Sequence, residues 1–536
     1  MSLDIVVAGG TVVDGTGAGP YRADIGISGD RVVAVRPGLA VPAGLVIDAT
    51  GLVVTPGLID PHSHSDWSVL GNRDAQSTIR QGVTTEIVGN CGVTYAPVTD
   101  ATAPAARAAL AAFGHDGEAD WRSFGELVDR VHREGGGTAQ NLAWFVGHTA
   151  LREAAGASGP DVTGEQLRTM RRLLADALDS GALGMSTGLE YGAGRESRTA
   201  ELSDLAAVLA GRGGMYASHV RNRDAGLAAA IEEFFRVARP HGLAAQLSHL
   251  NVRHNTGAPP DGWQRAVERL QAERDAGLDV LADMTPYPDG IGLAAGLLPG
   301  WLLADGAAAA AQRLGDPGVR RRVRADSDRY WRFVHRGEWD RVLLATSPAT
   351  PEWEGLSFPE IARRRGRDEW DCFLDVLEAA GPDLPAVQLV GRLFTEEHVA
   401  EAVAHPLFCL GVDGFSSRTD GPLAARTRHP LFFSGHTHYL AHHVLQRGTL
   451  GLAEAVHKMT AMVADHFGID GRGRLTAGAW ADVAVLDTAT LARQETFRLP
   501  DGYAAGVPYV IVNGALVVDR GEHRGVRAGR FLPRST

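Results

Sequence analysis

The feature that most constrains this chain is an alternation. Eight short apolar runs, at 58–64, 84–90, 142–148, 182–187, 215–220, 244–250, 280–285 and 408–413, are separated by stretches of helical amphipathicity such as 164–178 and 204–212. Strand-like runs alternating with helical ones predict βα units around a parallel sheet, and eight of them predict an α/β fold built on a closed (β/α)₈ TIM-like barrel. In such a barrel the reactive groups stand at the C-terminal ends of the strands. The long interval before the eighth run, about 290–341, is rich in Ala, Leu, Arg and Trp and predicts a helical insertion. The two ends of the chain read differently, as short β runs broken by Gly turns. Neither end can cover its own apolar face, so together they are expected to build one small β-sandwich domain. The expected division is therefore 1–57 and 470–536 for the sandwich and 58–469 for the barrel.

Composition excludes several function classes. With 44% hydrophobic and 22% charged residues the 536-residue chain is neither disordered nor fibrous. Its net charge is −12 and its arginines are dispersed, so neither nucleic acid nor an anionic membrane is an expected partner. No 18-residue apolar run and no basic-then-apolar leader is found, and three cysteines (Cys91, Cys372, Cys409) cannot make a disulfide framework. A cytoplasmic setting is expected, in which a cysteine that matters acts as a thiolate. The pattern carries no reading of oligomeric state. Only one lysine, Lys458, stands among the 52 Lys and Arg residues.

The strand ends carry the chemistry. Run one ends in Asp60-Pro61-His62-Ser63-His64, and in extended chain residues two apart share a face, so both imidazoles can serve one metal region. Run two ends at Cys91, run five at His219, run six at His249 and run eight at Asp413. Each alone has an ordinary explanation as a core or turn residue. Six ligand-type side chains at the same end of different strands are better explained by a joint metal site.

The chain resembles the amidohydrolase superfamily and, within it, the D-aminoacylase (N-acyl-D-amino-acid deacylase) family. The likeness runs nearly end to end, through Gly9-Gly10-Thr11-Val12-Val13-Asp14-Gly15-Thr16-Gly17, Gly89-Asn90-Cys91-Gly92, Gly188-Leu189-Glu190-Tyr191, Tyr216-Ala217-Ser218-His219-Val220-Arg221-Asn222, Leu247-Ser248-His249-Leu250, Val412-Asp413-Gly414 and His457-Lys458-Met459-Thr460. It implies a Zn²⁺ enzyme hydrolysing a small-molecule amide, with one tight zinc on Cys91, His219 and His249 and a weaker second position lined by His62, His64 and Asp413. It further implies Asp413 as general base and acid and Tyr191 as a donor to the oxyanion. One thiolate and two neutral imidazoles suit borderline-soft zinc and leave a coordination position open. Many binuclear relatives bridge two metals with a carboxylated lysine from a barrel strand. Lys458 lies beyond the eighth run in a helix-like segment, which excludes it from that role.

The expected substrate contacts are Arg221, Asn251, Thr285, Tyr287 and Leu431, and several depart from the family pattern. Asn251 stands where the family tends to carry lysine, Thr285 where it carries the first tyrosine of Asp-x-Tyr-Pro-Tyr, and Leu431 where it carries arginine after His-Pro. The catalytic half is retained and the carboxylate-recognition half is changed, unless Arg418, Arg426 or Arg428 supplies the cation. The expected substrate is thus an N-acyl compound other than a standard free-acid N-acyl-D-amino acid. Opening of a cyclic amide or imide, as in hydantoinase-like or dihydroorotase-like relatives, and a catalytically silent metal-binding role are the competing readings. Two further features are open at this stage. His436, His438, His442 and His443 cluster in sequence, with His438 and His442 on one face if helical. Trp301, Trp331, Trp353 and Trp370 can line either a substrate pocket or a helical core.

Overall fold

The computed structural model describes residues 2–326, 331–424, 429–492 and 502–535. The N-terminal end supplies β1 (Leu3–Val12), β2 (Tyr21–Ser28), β3 (Arg31–Arg36), β4 (Ala43–Asp48) and β5 (Val53–Pro56). The barrel then begins with β6 (Leu58–Asp60), β7 (Val83–Val88), β8 (Asn141–Gly147), β9 (Gly184–Gly188), β10 (Met215–His219), β11 (Ala245–Leu247) and β12 (Val280–Met284). An excursion carries β13 (Asp289–Leu293), β14 (Val342–Thr346) and β15 (Gln388–Arg392) before β16 (Phe408–Leu410) completes the barrel. The chain ends in β17 (Val483–Leu486), β18 (Tyr509–Val512), β19 (Ala515–Asp519) and β20 (Glu522–His523).

All eight predicted barrel strands are present, and they form one parallel sheet in the order β16-β12-β11-β10-β9-β8-β7-β6. The ring closes beyond the ends of β6 and β16, where Asp413 N donates to His62 O (2.9 Å) and His64 N to Gly414 O (2.6 Å). Ile59, Ile87, Phe145, Leu183, Met215 and Cys409 fill the barrel interior together with Val463 and Ala464 of the helix Ala461–His466 and with Phe467 just after it. The opposite mouth is left to polar side chains.

Both chain ends share one nine-stranded sheet. β1 makes it fork, pairing with β4 through Leu3–Ala8, with β5 through Thr11 and Val12, and with β2 on its other edge. Ile5, Val7, Ile25, Ile47, Val54, Val483, Val485 and Ile511 pack as its common core. β17 joins β5, so the sheet is complete only when the two ends of the chain meet.

The excursion corrects the expected insertion. It reaches from β13 to β15 and includes a three-stranded antiparallel sheet, so it is longer than 290–341 and not purely helical. Its aromatics settle the tryptophan question for this lobe. Trp331 and Trp370 are buried, with Trp331 stacked on Phe333 and Trp370 packed on Trp339 and Phe373. Trp301 and Trp353 lie under arginines, Arg322 and Arg365. Trp331 and Trp370 belong to the core of the lobe, and Trp301 and Trp353 pack against it half-buried. Lys458 is remote from the barrel mouth: its ammonium donates to Val403 O (2.7 Å) and His405 O (2.6 Å), in the segment that leads into β16. Among the described residues no helix is long and apolar enough to cross a membrane.

Candidate active site

The strand ends converge on a buried thiol. Cys91 follows β7, and its Sγ lies 3.3 Å from His62 Nε2, 3.4 Å from His249 Nε2 and 3.8 Å from His219 Nδ1. Asp413 completes the ring: its Oδ1 is 3.2 Å from His64 Nε2 and 3.5 Å from His62 Nε2. β6 stops at Asp60, earlier than predicted, and the chain bends at Pro61 and His62 before Ser63 bridges Gly414 in parallel register. His62 and His64 nonetheless both face Asp413, while Ser63 Oγ turns away to donate to Glu86 (2.9 Å). All six predicted ligand residues, His62, His64, Cys91, His219, His249 and Asp413, are brought together. The side chain of Asp413 is 30% exposed while those of the two strand-one histidines are 0% and 8%, so the carboxylate is the member that meets the mouth.

The backbone is strained where these residues sit. Cys91, His249 and Asp413 have φ of 54°, 34° and 58°, a left-handed region that side chains with a Cβ seldom enter. Glycines make room for it. A Cβ on Gly188 would stand 2.2 Å from Cys91 O, and one on Gly411 would stand 2.6 Å from Asp283 Oδ1.

The electrostatics suit a cation. Burial alone would raise the Cys91 thiol, but the facing imidazoles of His62, His249 and His219 outweigh it and hold it well below its ordinary value, as a thiolate. Burial and the neighbouring Arg223 guanidinium push His249 down to about 4, which keeps its ring neutral with a lone pair available. Partial desolvation acts to raise Asp413, but His249, His64 and His62 outweigh it and hold the carboxylate down to about 2. One ligand atom from each of His62, Cys91, His249 and Asp413 falls within 4.8 Å of the others. A buried set of thiolate, carboxylate and imidazole nitrogens is rich in lone pairs, and it fits a divalent zinc-type ion.

An outer layer that the sequence reading missed holds these ligands in place. His219 Nε2 donates to Glu190 Oε2 (2.9 Å), and Arg253 grips the same carboxylate with two bonds of 2.6 Å. Asp283, fully buried, accepts from His249 N (2.8 Å) and Gln246 Nε2 (2.7 Å) and lies 3.2 Å from His62 Nδ1. Arg223 donates to His249 O (2.9 Å). Glu190 and Asp283 were visible as carboxylates at the ends of runs four and seven. Their partners come from other strands, and no local pattern discloses such pairing.

The predicted substrate contacts divide. Tyr191 is 37% exposed, with its hydroxyl 3.4 Å from both Cys91 O and His219 Nδ1, at the open side of the thiol. Asn251 and Thr285 meet at the mouth, Thr285 N donating to Asn251 Oδ1 (3.0 Å). Tyr287 is buried, its hydroxyl 3.0 Å from Ser434 Oγ and its ring stacked on His438. Leu431 is buried beside Gly414, where a Cβ would stand 2.6 Å from Leu431 Cδ1, one residue from Asp413. Arg221 is a correction. Its guanidinium turns to Glu233 (2.8 and 3.0 Å) and to the carbonyls of Arg195 and Ser197, because the chain leaves β10 at His219 and the strand alternation no longer governs it. Arg418 is paired with Asp420 (2.9 Å), and Arg426 and Arg428 lie outside the described residues. His436 is buried 3.5 Å from Asp60 Oδ2, apart from the group formed by His438, His442 and His443.

Comparison with known proteins agrees with this arrangement. The model of the amidohydrolase family matches residues 45–335 and 413–518. The chain is 35% identical over 541 residues to the N-acyl-D-glutamate deacylase of Alcaligenes xylosoxydans xylosoxydans, covering 99% of this chain and 97% of that one. It is 32% identical over 537 residues to the D-aminoacylase of the same organism, covering 99% and 98%. Among solved structures, N-acyl-D-glutamate deacylase from Bordetella bronchiseptica, complexed with zinc and a phosphonate mimic of the tetrahedral intermediate, superposes with a TM-score of 0.80 at 30% identity over 100% of both chains. The chain belongs to the amidohydrolase family, in the group that contains D-aminoacylase and the N-acyl-D-amino-acid deacylases.

Proposed function

We propose that this chain hydrolyses the N-acyl amide bond of a small molecule that lacks a free α-carboxylate, using zinc held by Cys91, His219 and His249. The chain is a hydrolase of carbon–nitrogen bonds other than peptide bonds. His62, His64 and Asp413 flank a second, weaker metal position. Bound zinc supplies Lewis-acid polarisation of the scissile carbonyl and a lowered pKa for water. Asp413, ionised and open to the mouth, takes the proton of the attacking water and returns it to the leaving nitrogen. Tyr191 donates to the carbonyl oxygen as charge develops on it. Glu190 and Asp283 fix the rings of His219 and His62, so that the donors are placed before substrate arrives.

The observation that carries the substrate reading is Leu431, an aliphatic side chain packed at Gly414 beside the base. Among the described residues, the arginines that approach the metal ligands are engaged, Arg253 with Glu190 and Arg223 with the His249 carbonyl. Among the described residues the mouth offers a neutral donor, Asn251 Nδ2, buried with no hydrogen-bond partner. Trp67 stacks on His64 at 4.3 Å and continues into Phe113, Phe415 and Phe432, an aromatic wall suited to an apolar acyl or side-chain group.

A panel of N-acyl-amino acids of both hands, as free acids and as primary amides, tests this reading. The amides are expected to have the higher kcat/KM, and a preference for the free acids would overturn it. Leu431→Arg is expected to shift the ratio toward the acid by about 10–100-fold, the worth of one charge-assisted hydrogen bond of ~1.5–3 kcal/mol. Including hydantoins and dihydropyrimidines in the panel separates amide cleavage from ring opening. Glu190→Gln keeps the shape of the side chain but removes the charge that orients His219. It is expected to weaken zinc retention about 10–100-fold, read by competition with a chelator, with the fold intact by circular dichroism.

A further inference from the structure

A second group of metal-ligand side chains lies apart from the Cys91 centre. His438 ends the helix Leu431–His438, and His442 and His443 follow in the π-helical segment Tyr439–Gln446. An α-helix would put only residues three or four apart on one face. The wider π turn, bonded from residue i to i+5, sets the fourth and fifth residues on either side of the first, and such turns occur often at functional sites. The three rings accordingly face one another, with centroids 5.0 Å (438–442), 4.7 Å (442–443) and 5.7 Å (438–443) apart, and with one nitrogen of each within 4.8 Å of the others. Their relative exposures are 3%, 8% and 0%.

One nitrogen on each of two of the rings is already engaged. His443 Nε2 donates to the carbonyl of Pro286 (2.9 Å), in the loop after β12, and His442 Nε2 lies 3.2 Å from Glu396 Oε2, on the helix Glu396–Ala404. A neutral imidazole has one N–H, so the bond to Pro286 leaves His443 Nδ1 as a bare lone pair. That atom is buried with no hydrogen-bond partner. Burial also pushes His443 down to about 4, so the ring stays neutral and able to ligate. Carbonyl and carboxylate acceptors on the outer nitrogens are the arrangement that fixes the tautomer of metal-binding histidines. Tyr287, stacked on His438 with centroids 4.0 Å apart, holds the third ring.

We propose that His438, His442 and His443 form a separate binding site for a divalent transition metal of the zinc class. Three imidazoles and no oxygen or sulfur donor select Zn²⁺, Cu²⁺ or Ni²⁺ over Mg²⁺ or Ca²⁺. Zinc with nitrogens at about 2.0–2.1 Å wants them about 3.4 Å apart, so the rings draw inward on binding and a fourth position remains for water. The site ties the helix that carries Leu431 to the loop after β12 and to the helix Glu396–Ala404. It shares no residue with the Cys91 centre and does not depend on the reaction that centre performs.

Two measurements on the full-length protein test it. Crystals equilibrated with Zn²⁺ are expected to show anomalous difference density at the zinc edge between the three imidazoles, in addition to any at Cys91. Zinc content after dialysis is expected to fall by close to one equivalent in His442→Gln, by the same amount whether Cys91 is intact or replaced by alanine. Anomalous density confined to the Cys91 centre, or an unchanged zinc content in His442→Gln, would overturn the proposal. If His442→Gln does not fold, the anomalous map on the unaltered protein decides alone.

Discussion

Cys91→Ala is expected to lose the tightly held zinc and, with it, measurable turnover. The thiol is the strongest donor in the site, and it is kept as a thiolate by the imidazoles around it. Removing it leaves His219 and His249 as a two-nitrogen remnant, below the three protein ligands of catalytic zinc sites. The readouts are zinc stoichiometry after dialysis and kcat/KM on the best amide of the panel. Cys372→Ala provides the control: that thiol is buried in the inserted lobe, so its loss is expected to cost stability, about 1 kcal/mol, with zinc and activity retained. Full zinc content in Cys91→Ala would remove the thiolate from the metal site.

Asp413→Asn is expected to keep zinc bound on Cys91, His219 and His249 while kcat falls about 10²–10⁴-fold, the usual contribution of a positioned acid–base group. The amide is nearly isosteric, so the backbone at φ 58° and the bond from Asp413 N to His62 O are preserved. What is lost is a carboxylate held ionised by His249, His64 and His62. Asparagine cannot accept the water proton, and Asp283 is spent on the His249 amide and Gln246. Near-normal turnover with zinc in place would refute the role.

The eight barrel strands, their order and the six residues at their ends were legible because each is a local property. A strand announces itself by composition and length, and parallel order fixes which end of each strand meets the mouth. His62 and His64 show the limit of this. The regular strand ended before them, and they kept a common face only because Ser63 pairs with Gly414, about 350 positions on in the chain. Arg221 shows the failure. With no such pairing beyond His219, its side chain followed Glu233 instead of the mouth. In the same way the periodicity of an α-helix linked His438 to His442, while His443 entered their group only through the π turn.

The sequence by itself determined the barrel, the two-ended sheet and the kinds of donor available, because hydrophobic period and ligand chemistry are written in neighbouring residues. Only the tertiary structure decided which charges are already satisfied. Glu190 with Arg253, Asp283 with His249 and Arg221 with Glu233 are pairs between separate segments. The field at Cys91 is likewise the sum of rings from several strands. A buried group's protonation and reach depend on what surrounds it in three dimensions, and that environment is assembled by packing rather than by spacing along the chain.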